Sequence, residues 1–261
     1  MKLDKKFKYW FCGFIEGLNF LFSAYREEES EGGEIQCIVD KKKCFFILIY
    51  SDLDVLHYIK KNLGFGKITR YGKRFKYKVS NLKDIEKLLI FFSGNLYNYN
   101  FLKDWLDFPY FKKFPFKRVK KKLVLNDSWL SGYLDVNSKF GTKIVIDQNK
   151  KYLESYCYVN GTFEFLKDLI ILFGDNQFLI ESQTFSRLYS YTLDESLSVF
   201  KKFNNLYEFS FISKKRRLSL FKYLSKYPFK TNKRVDYLKF KRFVLENDSN
   251  VKKIIEIIKN D

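Results

Sequence analysis

The segment WFCGFIE at Trp10–Glu16 returns as WLSGYLD at Trp129–Asp135, 119 positions further on. The shared order is tryptophan, apolar, small, glycine, aromatic, aliphatic, acid. Such a repeat means that one structural unit is built twice in the chain. In the first copy the run from Trp10 to Phe22 is apolar except for small residues, Glu16 and Asn19. A surface helix scatters charges along one face, so this pattern predicts a buried helix with one isolated acid. The second copy follows Asn-Asp-Ser, an N-cap cluster, and its helix is expected to begin near Ser128.

After each motif the hydrophobic period changes to two. In RFKYKVS, Phe75, Tyr77 and Val79 alternate with Arg74, Lys76 and Lys78, so one strand face is apolar and the other basic. Gly64, Gly66 and Gly72 punctuate a hairpin just ahead of it. SDLDVLHYIKKNLG and SNLKDIEKLLIFF have helical spacing, with Ser51 and Ser80 as expected caps. The second half continues through KFGTKIVID, YLESYCYV, the helical GTFEFLKDLIILFG, QFLIES and SRLYSYTL. Residues 194–213 exceed the repeat, and NLYEFSFIS within them reads as an additional strand. The fold class is therefore α+β, two pseudo-symmetric αββαββα repeats. The expected division is residues 1–107 for the first repeat, 108–128 for a basic linker holding two of the three prolines, 129–245 for the second repeat and 246–261 for a C-terminal helix.

With 49 Lys+Arg against 30 Asp+Glu, the formal charge is +19, spread along the whole chain. That surplus predicts a polyanionic partner, because each phosphate neutralised by Lys or Arg releases condensed counterions. A sheet with one face on helices and one face cationic is a platform for nucleic acid. The four cysteines lack Cys-x-x-Cys spacing and His57 is the only histidine, which argues against structural zinc and for free thiols in a reducing compartment. No apolar run has the length of a membrane span, so no membrane partner is expected. Lys, Phe, Tyr, Asn, Ile and Leu dominate and Ala24 is the only alanine, the usage of AT-rich codons, which points to an organellar source.

WFCGFIEGLNFLFS and WLSGYLDVNSKF, with LDVLHYIKKNLGFGKI, YKVSNLKDIEKLL and LSKYPFKTNKRVDYLKF in that order, resemble the two-motif LAGLIDADG homing endonucleases from about Trp10 to Phe240. The resemblance implies saddle-shaped antiparallel sheets around two packed motif helices, with Gly13 and Gly132 permitting their close approach. It implies that Glu16 and Asp135 hold Mg²⁺ over the scissile phosphates as catalytic and metal residues, with Lys233 polarising the site. Nucleic-acid contacts are expected from Arg70, Lys73, Arg74, Lys76, Lys78, Lys139, Lys143 and Arg187. No homodimer is expected, since one chain carries both repeats.

The chain also departs from the family pattern. Glu16 is followed by Gly17, Leu18, Asn19 and Phe20, and Asp135 by Val136, Asn137, Ser138 and Lys139, so the small turn residues are missing. Asn100 stands where the first half should match Lys233, and a neutral amide supplies no charge. Only 9 of the 49 basic residues are arginine, a balance suited to gripping backbone more than to reading bases. Two functions stay open: an Mg²⁺-dependent DNA endonuclease, and a catalytically lapsed relative that binds structured RNA, as an intron maturase or on the rRNA of an organellar ribosome. A DNA-binding regulator is a third reading with no feature of its own.

Overall fold

The computed structural model describes residues 4–24, 33–40, 43–147, 150–173, 199–203, 206–211 and 214–258. The first repeat runs α1 (Lys5–Ala24), β1 (Glu34–Asp40), β2 (Lys43–Tyr50), α2 (Leu53–Leu63), β3 (Lys67–Tyr71), β4 (Arg74–Val79) and α3 (Leu82–Phe92). A single 3₁₀ turn (Asn100–Leu102) leads into the short α4 (Lys103–Asp107). The second repeat runs α5 (Trp129–Asn137), β5 (Ser138–Asp147), β6 (Lys150–Gly161), α6 (Phe163–Leu172), β7 (Val199–Phe203), β8 (Leu206–Ser210) and α7 (Lys214–Lys226), followed by α8 (Lys233–Ile258). The two antiparallel sheets have equivalent strand orders, β1-β2-β4-β3 and β5-β6-β8-β7.

Local chemistry sets the element ends, one residue away from the sequence expectation in two cases. Asp52, not Ser51, caps α2 by accepting from Asp54 N and Val55 N, and Gly64 closes that helix in the left-handed region at φ 78°. Asn81, not Ser80, caps α3. The strand read as additional, Leu206–Ser210, pairs with β6 as β4 pairs with β2, so it belongs to the repeat itself. SRLYSYTL, and with it Arg187, lies outside the described residues. The expected C-terminal helix is a continuation of α8, which starts at Lys233.

The chain forms two compact units, Met1–Asn137 with Tyr227–Thr231, and Ser138–Lys226 with Asn232–Asp261. Motif helix α5, the first element of the second repeat, thus lies in the first unit. The reason is backbone contact: a Cβ on Gly13 would sit 1.9 Å from the Trp129 carbonyl oxygen, and one on Gly132 would sit 1.9 Å from that of Trp10. Only glycine allows both approaches at once. Residues 10–18 of α1 are all buried, as their all-round apolar pattern requires. Phe11 stacks on Phe92 at 5.9 Å and meets the edge of Phe46 at 6.4 Å, while Trp10 stacks on Phe14 at 4.9 Å. All four cysteines are free, and burial pushes the thiols of Cys12 and Cys157 far up.

In the second unit Phe140, Cys157, Val159 and Phe209 form the buried sheet face. Tyr237 and Phe240 of α8 pack on Phe140, and Phe221 of α7 packs on both of them in turn. Arg217 ties α7 to the sheet through Nε to Phe211 O at 2.7 Å and both Nη atoms to Ser155, at 2.9 and 3.0 Å. Three satisfied donors make such a half-buried guanidinium tolerable.

Candidate functional site

Both motif acids lie at the seam of α1 and α5, and neither is exposed. Glu16 Oε2 accepts from Tyr97 N at 2.8 Å and Oε1 from Asn98 N at 2.5 Å. Asp135 Oδ2 accepts from Trp10 Nε1 at 2.9 Å and Lys230 N at 2.8 Å; its Oδ1 accepts from Thr231 N at 3.3 Å and Thr231 Oγ1 at 2.5 Å. The arrangement is reciprocal in placement, although only the Trp10–Asp135 half closes as a full hydrogen bond. The first motif's tryptophan holds the second motif's acid, and the Trp129 indole in turn faces Glu16 and favours its ionised form. Each acid also secures two successive backbone amides of a loop far along the chain.

Those bonds superimpose the two loops: Tyr97 and Asn98 stand where Lys230 and Thr231 stand. Continuing the count from those two pairs makes Asn100 the counterpart of Lys233. Lys233 opens α8 and its Nζ donates to Ser138 O at 2.5 Å. That carbonyl belongs to the first residue of β5. The first repeat has no cation at its equivalent position, and Asn100 N instead donates to Asn98 Oδ1 at 2.9 Å.

A divalent ion such as Mg²⁺ demands about six oxygen ligands in near-octahedral array. A carboxylate offers about four lone-pair directions; Asp135 fills all four with N–H and O–H donors, whereas Glu16 receives one N–H on each oxygen and keeps the other two. Desolvation pushes the Glu16 carboxyl up to about 8, against the opposing pull of the Asn98 and Tyr97 amides, of Trp129 and of Lys121. Burial thus favours the neutral carboxyl, and a nearby cation would pull in the opposite direction. The next equivalent positions, Leu18 and Asn137, carry no carboxylate. Asn137 Oδ1 is buried without a partner among the described residues, but a single amide oxygen is no metal site. No cluster of three or more His, Cys, Asp or Glu suited to a metal occurs among the described residues. As folded, the filled Asp135 carboxylate fits a structural clasp rather than a metal ligand, and Glu16 clasps the Tyr97–Asn98 loop while keeping lone pairs of its own.

Strand register sorts the cations of the first sheet. Phe46, Leu48, Tyr77 and Val79 are buried beneath the helices. The opposite, outer face aligns Lys78 with Ile47 and Lys67, and Lys76 with Ile49 and Thr69, and Arg74 with Tyr71. Lys78 Nζ lies 4.1 Å from the Phe45 ring centroid and Lys76 Nζ 5.0 Å from that of Tyr71, so flat aromatic faces hold the ammonium groups in place. Arg70 departs from expectation. It pairs with Phe75, on the other side of the sheet, and its Nε donates to Gly72 O at 3.3 Å. Lys67 is the residue that sequence reading missed; it shares parity with Thr69 and Tyr71, a signal that was present in KITRY. Lys73 sits in the exposed two-residue turn with Gly72, whose φ is 60°.

The second sheet is less basic. Lys139 aligns with Tyr158 and Lys143 with Glu154 on its outer face, and Lys143 Nζ is 3.0 Å from Glu154 Oε2. Tyr156 and Tyr158 stack there at 5.6 Å, and Asn160 aligns with Glu208 on the same face. Glu154 therefore offsets Lys143, and Glu208 adds a second acid to this face.

Solved structures match this architecture along almost its full length. The meganuclease I-CpaMI bound to uncleaved DNA covers 97% of each chain at a TM-score of 0.64 and 16% identity. I-SmaMI bound to an uncleaved DNA target with calcium ions covers 95% of this chain and 94% of its own at 0.65 and 13%. The chain has the LAGLIDADG homing endonuclease fold. At these identities the likeness concerns fold alone. No family model matches the chain. Among curated proteins it is similar to a probable intron-encoded endonuclease 4 of Neurospora crassa, 23% identical over 199 residues, which are 70% of this chain and 33% of that protein. It is also similar to an uncharacterized cox1 intron-2 37.2 kDa protein of Schizosaccharomyces pombe, 26% identical over 190 residues, 56% of this chain and 58% of that one. The chain thus spans about a third of one relative and somewhat over half of the other. Among the described residues, no helix of this LAGLIDADG fold is long and apolar enough to cross a membrane.

Proposed function

We propose that the chain is a LAGLIDADG-type nucleic-acid-binding protein that grips duplex DNA through the outer face of the β1–β4 sheet. The observation that carries this reading is the row of Lys67, Arg74, Lys76 and Lys78 on one face of β3 and β4, two of them held over aromatic rings. Lysines so placed neutralise phosphates and position the protein, and the neighbouring Thr69 and Tyr71 offer hydrogen bonds to base edges, as does Gln36, whose amide also donates to Glu34. DNA in the solved LAGLIDADG complexes and intron-encoded relatives support the partner class. AT-rich residue usage supports an organellar setting. The filled Asp135 carboxylate favours binding without cleavage by that residue, and no reaction step is assigned to either acid.

Fluorescence anisotropy with a random-sequence duplex tests this reading. Binding should weaken steeply with salt, and Lys76→Gln or Lys78→Gln should each lower the slope of log K against log salt by about 0.9. Lys67→Gln should do the same and Arg70→Gln should not. Absence of binding at low salt, or equal loss from Arg70→Gln, would refute it. Tighter binding to folded RNA than to any duplex would transfer the face to RNA.

A further inference from the structure

Residues 112–122 carry seven cations and no acid, and most of them are exposed. The segment is not a loose tether. Lys117 N donates to Ser93 Oγ at 2.9 Å, Gly94 N donates to Lys117 O at 3.2 Å, and Lys121 N donates to Leu96 O at 2.8 Å. These bonds pin both ends of a short strap against the turn that follows α3. Between the pins Arg118, Val119 and Lys120 are all exposed, Val119 at 65%. Inside the strap Lys121 is paired with Asp127 at 2.6 Å and lies over the Tyr9 ring, which fixes the base of the structure. Lys120 Nζ is held 4.0 Å from the Tyr97 ring centroid. Lys112, Lys113, Lys117, Arg118 and Lys122 have no acidic partner among the described residues.

The strap and the sheet cations lie on different sides of the first unit. Helix α3 packs Phe92 against Phe46 on the buried sheet face, and the strap is bonded to the residues just after that helix. Lys76 and Lys78 leave from the outer face. A polynucleotide held by the outer face therefore meets the strap only with a different stretch of its backbone.

We propose that this pinned strap is a second phosphate-binding surface, for the backbone of a polynucleotide and indifferent to its sequence. Its charge density needs a partner of matching density, and a duplex carries one negative charge per roughly 1.7 Å of axis. Its composition suits point contacts to phosphate oxygens, since one arginine among seven cations gives little bidentate base recognition. Pre-pinning lowers the ordering cost that a free basic tail would meet on binding. The inference rests on the chain binding nucleic acid, and the experiment separates the two.

The triple variant Lys117→Gln, Arg118→Gln, Lys122→Gln leaves the pinning backbone bonds and Lys121 untouched. Its salt dependence is compared with wild type on a random duplex of about 40 base pairs and on a folded RNA of similar length. A slope lower by about 2.7 on the duplex, or by roughly 2 on largely single-stranded RNA, with sequence preference unchanged, is expected. Whichever polymer shows the change is the strap's partner. An unchanged slope on both polymers, while Lys76→Gln still lowers it, overturns the strap and spares the sheet reading. Absence of salt-dependent binding by wild type to either polymer overturns both. Loss of binding to polyglutamate with no change on either nucleic acid assigns the strap to an acidic protein and overturns the inference too.

Discussion

Replacing Glu16 by Gln tests whether that carboxyl is held neutral inside the fold. Its value rises from 4.5 to about 8, chiefly through desolvation, while the unfolded chain titrates near 4.5. Because the folded value lies above the unfolded one, the stability it contributes is fully present below about 4.5. That contribution is lost progressively as pH rises to about 8 and stays lost above it. Linkage at about 1.36 kcal/mol per unit makes the wild-type loss between pH 5 and pH 9 about 4 kcal/mol from this group alone. The substituted glutamine does not titrate. It can accept from only one of the Tyr97 and Asn98 amides with its single oxygen and turns an NH₂ toward the other, a penalty of about 1–3 kcal/mol at every pH. Wild type should therefore exceed the variant at pH 5, and the order should level or invert by pH 9. Urea denaturation of both proteins at fixed ionic strength across that range measures the gap, and titration of the many lysines cancels in the difference. A gap constant to within about 1 kcal/mol from pH 5 to pH 9 would show that Glu16 is ionised in the fold, and would remove the main objection to its holding a metal.

Gly13→Ala and Gly132→Ala each force a methyl carbon to within 1.9 Å of a backbone carbonyl oxygen on the partner helix. Each should cost about 3 kcal/mol in thermal or urea unfolding; a loss below about 1 kcal/mol would mean that the helices separate easily. Asp52→Ala should cost about 1 kcal/mol by removing the α2 cap, and Ser51→Ala should cost almost nothing, measured the same way.

The repeated tryptophan, glycine and acid were enough to place the motif helices, because two seven-residue runs that share one acid in an apolar setting seldom arise by chance. Period-two alternation in RFKYKV likewise told which side of β4 is basic. Where the acids point was not legible. Glu16 meets the amides of Tyr97 and Asn98, and Asp135 those of Lys230 and Thr231, each more than eighty positions away, and no local pattern records that return. Arg70 and Lys67 illustrate a second limit. In a strand, adjacent side chains fall on opposite faces, so a cation's role turns on register, which only the pairing of β3 with β4 reveals. The caps moved from Ser51 to Asp52 and from Ser80 to Asn81 because two capping-competent residues stand side by side in each case.

Lysine acetylation footprinting with and without bound duplex tests the proposed interface most directly, because it reads the ammonium groups themselves. Lys67, Lys76 and Lys78 on the outer face should lose reactivity several-fold in the complex, and Lys60 and Lys83, on the helices of the other side, should keep theirs. Equal protection of all five, or protection of Lys60 and Lys83 with Lys76 and Lys78 unchanged, would contradict the account.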